Sequence, residues 1–430
     1  MTARGSSDDG SEKPAASAVA AGSPIRVLTF STLYPNAAQP QHGVFVENRL
    51  RHLVASGAVE ATVLAPAPWF PFSHRAFGDY AKFARVPHEE VRHGLSVTHP
   101  RYVVVPKVGM SMAPSLLYLS ARTVVRHWLA QGRRFDLIDA HYFYPDGVAA
   151  AMLGREFGLP VFITSRGADL NQIADYSLPR RQILWAASRA AGLVTVCQSL
   201  KDRLIALGAA GDKIEVLRNG VDLRQFTPVD RSLARRRWGV DGPLAVSVGA
   251  LIPRKGHDLV IRAMAGLPGV HFLIAGQGPE RAALEGLIVE LGLGDRVKLI
   301  GQLAHEELST LYSAADVSVL ASSSEGWANV LLESMACGTP VAATNVSGTP
   351  EAVQGPEAGV LIEERTSVAI AAALRRLLDH PPARAATRAY AEGFSWDATT
   401  EGQLRLFSRA LGRDFLPRAQ MAPMLGRALP

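Results

Sequence analysis

The sequence of 430 residues carries only two cysteines, Cys197 and Cys337. That excludes a disulfide scaffold and a cysteine-rich zinc or iron–sulfur centre, and it points to a reducing cytoplasm. Long apolar runs are missing too. The uncharged stretches Val108 to Ala121 and Ser334 to Pro350 fall short of the roughly 18–20 residues a membrane helix needs, and Gly or Pro breaks them. The first 24 residues lack a basic start followed by an apolar core, so they read as a disordered tail, not a signal peptide. A cytoplasmic protein that neither leaves the cell nor spans a membrane is expected. Aromatics make up 7% and charged residues 20%, beside 48% hydrophobic residues, which excludes a disordered or fibrous chain and suits an enzyme of two or three domains. There is no Asp-x-Asp, so a diphosphate bridged by a metal on such a pair is not expected.

Lysine is scarce, seven against 38 arginines, and the net charge is +6. That charge is unevenly placed. From Ile25 to Pro228 there are 23 Lys+Arg against 15 Asp+Glu, or +8, whereas Val229 to Pro430 has 20 against 21, or −1. A basic first half suits an anionic partner: a phosphate-bearing substrate, a lipid surface or nucleic acid. Nucleic acid is the weakest of these, because the basic residues form no known recognition module.

The chain alternates strand and helix patterns. IRVLTF (Ile25–Phe30) is an apolar run of the kind buried in a parallel sheet, followed by a long loop and a helical pattern from Val44 to Ser56. Strand patterns recur at 59–65, 95–98, 135–140, 161–164 and 193–197, with helical patterns at 111–131, 146–157, 179–191 and 199–207. The second half repeats the scheme, with strands at 244–249, 270–275, 297–301, 317–321 and 340–344 and helices at 257–265, 280–291, 306–314 and 330–337. Between them lies a polar, basic, turn-rich stretch from Asp222 to Gly242, read as a linker (223–242). The expected architecture is two Rossmann-like α/β domains, 25–222 and 243–395, facing each other across a cleft. A helix from Trp396 to about residue 412 follows, and then a basic tail, 413–430. Ligands of such sheets gather at the C-terminal strand ends, which places substrates in the cleft.

The most informative segment is SSSEGWANVLLESMACGTPVAAT (Ser322–Thr344). Glu325 precedes a turn that Gly326 lets run tightly, and Glu333 follows eight residues later on the next helix. The amides near Trp327, Ala328 and Asn329 are expected to be that helix's free N-terminal donors, suited to anionic oxygens. At ~100° per residue Glu333 falls on the helix wall, so the two carboxylates either hold opposite ends of an elongated ligand or are helix-end and surface groups. In VSVGALIPRKGHDLVIRAM (Val246–Met264), Arg254 and Lys255 stand before a helix start, where two cations suit a diphosphate or form a solvated basic turn. LIAGQGPE (Leu273–Glu280) is a strand–glycine–helix junction without the third glycine of a dinucleotide fingerprint.

Together these elements resemble the retaining glycosyltransferases of family 4, which have the two-domain GT-B fold. Glu325-Gly-Trp-Ala-Asn-Val-Leu-Leu-Glu333 matches the family's E-x7-E element, VGALIPRKG its phosphate-binding loop, AGQGPE its glycine-rich turn at Gly276, and RNGVDLRQF (Arg218–Phe226) the segment leading to the linker. The resemblance runs from about Ile25 to Ala410. It implies a sugar moved from a nucleotide-diphosphate donor to a glycan or lipid-linked acceptor with retention, in cell-surface polysaccharide or glycolipid synthesis. No metal cofactor is implied, and the sugar nucleotide is a substrate. In that reading Arg254 and Lys255 neutralise the diphosphate, Glu333 binds the ribose hydroxyls, and Glu325 with amides near Asn329 and Val330 holds the transferred sugar. Many members have Arg directly after the loop's first glycine, where this chain has Ala250.

QPQHGVFVENRLRHL (Gln39–Leu53) looks like the family's N-terminal glycine loop, with Gly43 letting amides approach the donor phosphate from the opposite domain. His141, in IDAHYFYPDG, follows a strand end; relatives have a His near the reacting sugar here, so it is either catalytic or acceptor-orienting, or else a satisfied loop histidine. Arg166 and Asp169, in TSRGADLN, either line the acceptor side or form a buried ion pair. Residues 66–87 carry Trp69, Phe70, Phe72, Phe77, Tyr80 and Phe83 among His74, Arg75, Lys82 and Arg85, and the helix at 111–131 adds Arg122 and Arg126, with Arg133 and Arg134 beyond. Aromatics mixed with cations suit a headgroup interface, so this half is expected either to dock peripherally on an anionic membrane surface or to pack the loop on its own domain. Two other functions fit the same fold: a nucleotide-sugar 2-epimerase, and a non-catalytic sugar-nucleotide-binding protein, for which Ala250 is the hint.

Overall fold

The computed structural model describes residues 23–74, 80–104 and 109–413. Arg75, Phe77, nearly all of the N-terminal tail and residues 414–430 lie outside them. Two sheets organise the chain. The first has eight strands in the order Ile214–Val216, Gly192–Thr195, Val161–Ser165, Leu137–His141, Ile25–Phe30, Val59–Leu64, Leu95–Thr98 and Glu89–Arg92. All neighbours are parallel except the last pair, where Glu89–Arg92 runs antiparallel to Leu95–Thr98. The central strands are buried almost throughout because helices cover both faces. Val27 and Leu28, on opposite faces of one strand, are both fully buried.

The second sheet has six parallel strands in the order Val297–Gly301, His271–Ala275, Leu244–Val248, Val317–Leu320, Val341–Thr344 and Gly359–Ile362. In each sheet the strand order reverses once at the centre, leaving a crevice at the carboxyl ends of the two middle strands. For the first sheet that crevice lies beyond Phe30 and His141, and Ser31 Oγ donates to the His141 carbonyl at 3.1 Å. For the second it lies beyond Val248 and Leu320, the starts of the loops carrying Lys255 and Glu325.

The helix Trp396–Leu411 returns to the first sheet. Its Leu404 and Phe407 pack among Val27, Leu137 and Phe162, with the Phe162 and Phe407 ring centroids 4.8 Å apart. His52, on the helix Val44–Ala55, stacks on Trp396 at 5.2 Å.

Several elements differ from the sequence reading. The stretch expected as a turn-rich linker contains the helix Arg231–Trp238, started by Asp230, whose carboxylate accepts from the Leu233 amide, and stopped by left-handed Gly239. Its arginines are not a solvated run: Arg235 donates to Asp316 at 2.8 Å and to the Ala314 carbonyl at 3.1 Å, which fixes the helix on the second sheet. The helix expected from 146 begins at Val148, because residues 143–147 form a wide turn in which the Gly147 amide reaches back to the Tyr142 carbonyl at 2.9 Å. The strands Ile214–Val216, Glu89–Arg92 and Gly359–Ile362 and the helices Ser367–Asp379 and Arg384–Glu392 were not anticipated.

Candidate active site

On the second sheet, two glycines let loop backbones touch. A methyl on Gly276 would lie 1.8 Å from the Gly249 carbonyl oxygen, and one on Gly278 2.3 Å from that of Leu251. The loop after Gly249 can therefore lie against the glycine turn. It ends in the short turn Pro253–Lys255, and left-handed Gly256 starts the helix His257–Met264. Lys255 Nζ donates to Glu325 Oε1 at 2.6 Å, and Ser322 Oγ donates to the same oxygen at 2.6 Å. Arg254 donates to the Ser324 carbonyl at 2.6 Å and lies 3.5 Å from Glu325 Oε1. Burial works to raise the Glu325 carboxyl, but Lys255, Ser322 and Arg254 outweigh it and hold the group below its ordinary range. The result is a carboxylate ionised at neutral pH, with two cations at its edge.

Arg365, which the sequence reading did not single out, ties this corner together. Its guanidinium donates to the Ala321 carbonyl at 2.7 Å and the Pro253 carbonyl at 3.3 Å, so it bridges the two loops that carry Glu325 and Lys255. Nothing local marks it, since it sits beyond a strand that the sequence reading did not assign.

The helix Asn329–Ala336 opens just past Glu325. Asn329 Oδ1 accepts from Asn219 Nδ2 at 3.1 Å, while the half-buried Val330 follows on the first turn. Glu333 faces another flank, where it accepts from the Tyr312 hydroxyl at 3.4 Å and lies 3.6 Å from His305 Nε2. Burial lowers the His305 pKa, but the hydrogen bond and charge of Glu333 prevail and raise it.

At the crevice of the first sheet, His141 is fully buried. Arg166 donates to His141 Nδ1 at 2.7 Å, and Asp139 Oδ2 lies 3.3 Å from Nε2. An arginine can only donate, so Nδ1 is the acceptor and Nε2 carries the proton. Burial, with Arg166 adding to it against the pull of Asp139, lowers the His141 pKa to about 4. Both ring nitrogens are thus engaged by protein groups. Its neighbour Tyr142 adopts a φ of 81°, a left-handed backbone unusual outside glycine.

Arg166 and Asp169 are adjacent but do different work. The Arg166 guanidinium turns to His141 and to Asn219 Oδ1, the latter at 3.0 Å. Asp169 accepts from the amides of Phe143 and Gly167, each at 2.7 Å, from the Arg166 amide at 3.2 Å and from Ser165 Oγ at 3.0 Å. It shapes the loop under Arg166 through backbone hydrogen bonds, in place of the side-chain ion pair considered from sequence.

Gly43 caps the helix Val44–Ala55 with a φ of 74°, and a methyl there would lie 2.3 Å from the Leu33 carbonyl oxygen. The loop before it is anchored by Thr32, whose amide and hydroxyl both donate to Asp146. Thr32, Tyr34, Asn36, His42, His99 and Tyr102 line a cavity of ≈ 230 Å³ beside this loop.

The two sheets meet across the cleft. A methyl on Gly326 would lie 2.0 Å from the Arg166 carbonyl oxygen, and one on Gly167 2.7 Å from Gly326 Cα. Asn171 Nδ2 donates to Ser324 Oγ and to the Glu325 carbonyl, both at 3.3 Å. Glu351 accepts from the Gln198 amide at 2.7 Å and from Arg218 Nε at 2.9 Å. Arg254, Lys255 and Glu325 therefore form one cluster. His141, Arg166 and Asn329 form another, joined through Asn219. Among the described residues no group of three or more His, Cys, Asp or Glu side chains is placed to hold a metal ion, and no helix is long and apolar enough to cross a membrane.

Two α/β sheets with facing crevices, one holding paired cations beside a carboxylate, define the GT-B class of glycosyltransferase. Residues 42–225 match the model for glycosyltransferase family 4, and residues 230–394 that for glycosyl transferases group 1. A D-inositol 3-phosphate glycosyltransferase from Mycobacteroides abscessus is 33% identical over 317 residues, covering 68% of this chain and 70% of the relative. Among solved structures, sucrose-phosphate synthase from Thermosynechococcus elongatus superposes with a TM-score of 0.76 at 22% identity, over 90% of this chain and 99% of that one. HepE from Anabaena in complex with UDP superposes with a TM-score of 0.68 at 21% identity, over 90% of this chain and 100% of that one. The chain belongs to the group 1 glycosyltransferases of family 4.

Proposed function

We propose that the chain transfers a hexosyl group from a nucleotide-diphosphate sugar to a hydroxyl of a glycan or lipid-linked acceptor, with retention of configuration. The observation that carries this reading is the Lys255–Glu325 contact of 2.6 Å with Arg254 alongside, set at the crevice of the second sheet. In the transfer step the bond from the anomeric carbon to the diphosphate oxygen breaks, and the diphosphate leaves with both electrons of that bond. Arg254, Lys255 and the Val330 amide meet the growing negative charge, which is the main contribution to rate. The Asn329 amide, expected to be free, donates instead to the Trp327 carbonyl at 3.2 Å, and the Leu331 amide to that of Ala328 at 3.0 Å. Glu325 holds hydroxyls of the transferred sugar, and Glu333 those of the ribose.

A neutral His141 with both nitrogens engaged is not a strong base. That supports same-face attack, in which a departing phosphate oxygen takes the acceptor hydroxyl's proton and the new glycosidic bond forms on the face just vacated. His141 and Arg166 then orient the reacting sugar and acceptor. Relatives named for D-inositol 3-phosphate support a polyhydroxyl acceptor.

Trp69, Phe72 and Tyr80 are each more than half exposed, and Phe72 and Tyr80 are brought together by Phe70, whose ring centroid is 6.1 Å from that of Phe72 and 5.6 Å from that of Tyr80. They support a cytoplasmic enzyme that rests peripherally on an anionic leaflet and serves cell-surface polysaccharide or glycolipid synthesis. Arg122 and Arg126 both pair with Glu156, so this surface is less basic than its sequence suggests.

Calorimetric titration with UDP, GDP, ADP and CMP, on wild type and Lys255→Ala, tests the donor site. Selective binding of one diphosphate, lost in the variant, is expected. Absence of binding by all four at millimolar concentration overturns the reading.

A further inference from the structure

The hydrogen bonds around His141 continue well past the cleft. Asp139 precedes His141 by two residues on one strand, so both side chains lie on the same sheet face. Asp139 Oδ2 faces His141 Nε2 and also accepts from Gln403 Nε2 at 2.7 Å, across 264 positions of sequence. Gln403 sits on the helix Trp396–Leu411, and its Oε1 accepts from Arg49 Nε at 3.0 Å. The Gln403 amide therefore donates to a carboxylate on one side and accepts from a guanidinium on the other. A flip would set its NH₂ against the guanidinium, so its orientation is fixed.

Arg49, Asp139, His141 and Gln403 are each no more than 2% exposed. Sealing a carboxylate and a guanidinium from water is expensive, and well-packed apolar groups are often as stable or more so. Burial pushes the Asp139 carboxyl up, yet His141, Arg49 and Arg166 prevail and hold it below its ordinary value. An ionised Asp139 can only accept, so it holds the Nε2–H edge of the imidazole and leaves Nδ1 facing Arg166. Beyond Arg166 the chain runs through Asn219 to Asn329, the first residue of the helix on the donor side.

We propose that Asp139 and Gln403 are positioning residues of the transfer site: Gln403, carried by the C-terminal helix, aims Asp139, which sets the ring plane of His141 and through it the Arg166 guanidinium. The rate consequence rests on the transferase reading; the geometric claim does not. Gln403 belongs to none of the motifs quoted for the family in this sequence, and Asp139, although it stands in the segment IDAHYFYPDG, was given no role there.

The test uses the full chain with Asp139→Asn, Gln403→Leu and both together. In ¹⁵N-histidine-labelled protein at pH 7, with His141 assigned by His141→Gln, wild type is expected to show one slowly exchanging Nε2–H signal. Gln403→Leu is expected to split or broaden it. Release of nucleoside diphosphate from UDP-glucose, GDP-mannose and ADP-glucose in water gives the rate. Each single variant is expected to lower kcat by about 10- to 100-fold with donor KM within about twofold, the loss a misaligned site produces. The double variant is expected to be no slower than the slower single, because the two act in one chain. An unchanged His141 signal in Gln403→Leu, or unchanged kcat in both singles, overturns the proposal, as do losses that multiply. If Gln403→Leu does not fold, the nearly isosteric Asp139→Asn carries the same readouts and decides. A wild type that binds no nucleotide defeats the transferase reading instead, and the spectrum still decides the positioning claim.

Discussion

Gly167 and Gly326 meet backbone to backbone across the cleft, with room for no side chain on either. A Cβ on Gly326 would stand 2.0 Å from the Arg166 carbonyl oxygen, and Gly167 has a φ of 126°. Glycine is required on both counts, for close approach and for a conformation that L-residues avoid.

Gly326→Ala is therefore expected to push the two sheets apart, because the clashing atom is backbone and cannot rotate away. The expected loss is about 1–3 kcal/mol of stability, typical of overpacking, together with a larger radius of gyration in small-angle scattering. Donor turnover should fall at least ~10-fold as Arg254 and Lys255 separate from His141 and Arg166. An unchanged radius of gyration at unchanged turnover counts against this juncture setting the closure.

Lys255→Ala should lower turnover by at least ~100-fold, the scale for removing one charge stabiliser. It should also alter the acid limb of stability. The folded Glu325 carboxyl titrates below its unfolded value, so it contributes stability above the ordinary carboxylate range, and that stability is lost as pH falls through the folded pKa. Without Lys255 the burial that opposes ionisation gains weight. Melting temperature plotted against pH should then fall less steeply through the acid range than in wild type, because less of that stability remains to be lost.

Asp146 gives the opposite sign. Burial lifts its carboxyl to about 7, against the two hydrogen bonds from Thr32 and with the nearby Asp169 charge adding to the rise. The folded state holds this proton where the unfolded chain releases it, so stability falls as pH rises from about 4 to 7. At ~1.4 kcal/mol per pKa unit, the difference is on the order of a few kcal/mol. Asp146→Asn keeps an acceptor for the Thr32 amide and removes the charge. Its melting temperature, relative to wild type, should rise between pH 5 and pH 8; a constant difference refutes the assignment.

How far the sequence carried the fold depended on how local each signal was. Glu325, Gly326 and Asn329 sit within five residues, and Arg254 and Lys255 lie between a strand and a helix start, so each cluster was legible before its geometry was known. That Lys255 touches Glu325 across 70 positions was not. Gln403 and Arg49 carried no signal, because their partners lie on other elements and their meaning is tertiary. The helix Arg231–Trp238 was hidden by its charge, since basic residues read as solvated until Asp316 is placed beside them. The edge hairpin at Glu89–Thr98 did carry a cue in Gly94, the residue type that tolerates the positive φ a tight two-residue turn needs; His93 and Gly94 there have φ values of 48° and 78°.

The exposed aromatics that follow the short strand Ala67–Pro68 offer the last expectation. Trp69, Phe72 and Tyr80 are 54%, 53% and 55% exposed, and the Trp69 amide donates to the Tyr102 carbonyl at 2.7 Å, which brings the exposed Val103 and Val104 alongside. Burying such rings at a headgroup boundary is favourable, while anionic lipid adds attraction that salt weakens. In vesicle sedimentation the chain is expected to favour phosphatidylglycerol over phosphatidylcholine liposomes. Replacing Trp69, Phe72 and Tyr80 together with Ala should lower that partitioning by at least ~10-fold, and 1 M salt should weaken it further. Sedimentation that does not distinguish the two lipids removes the docking idea, and the aromatic cluster then serves only to pack its loop.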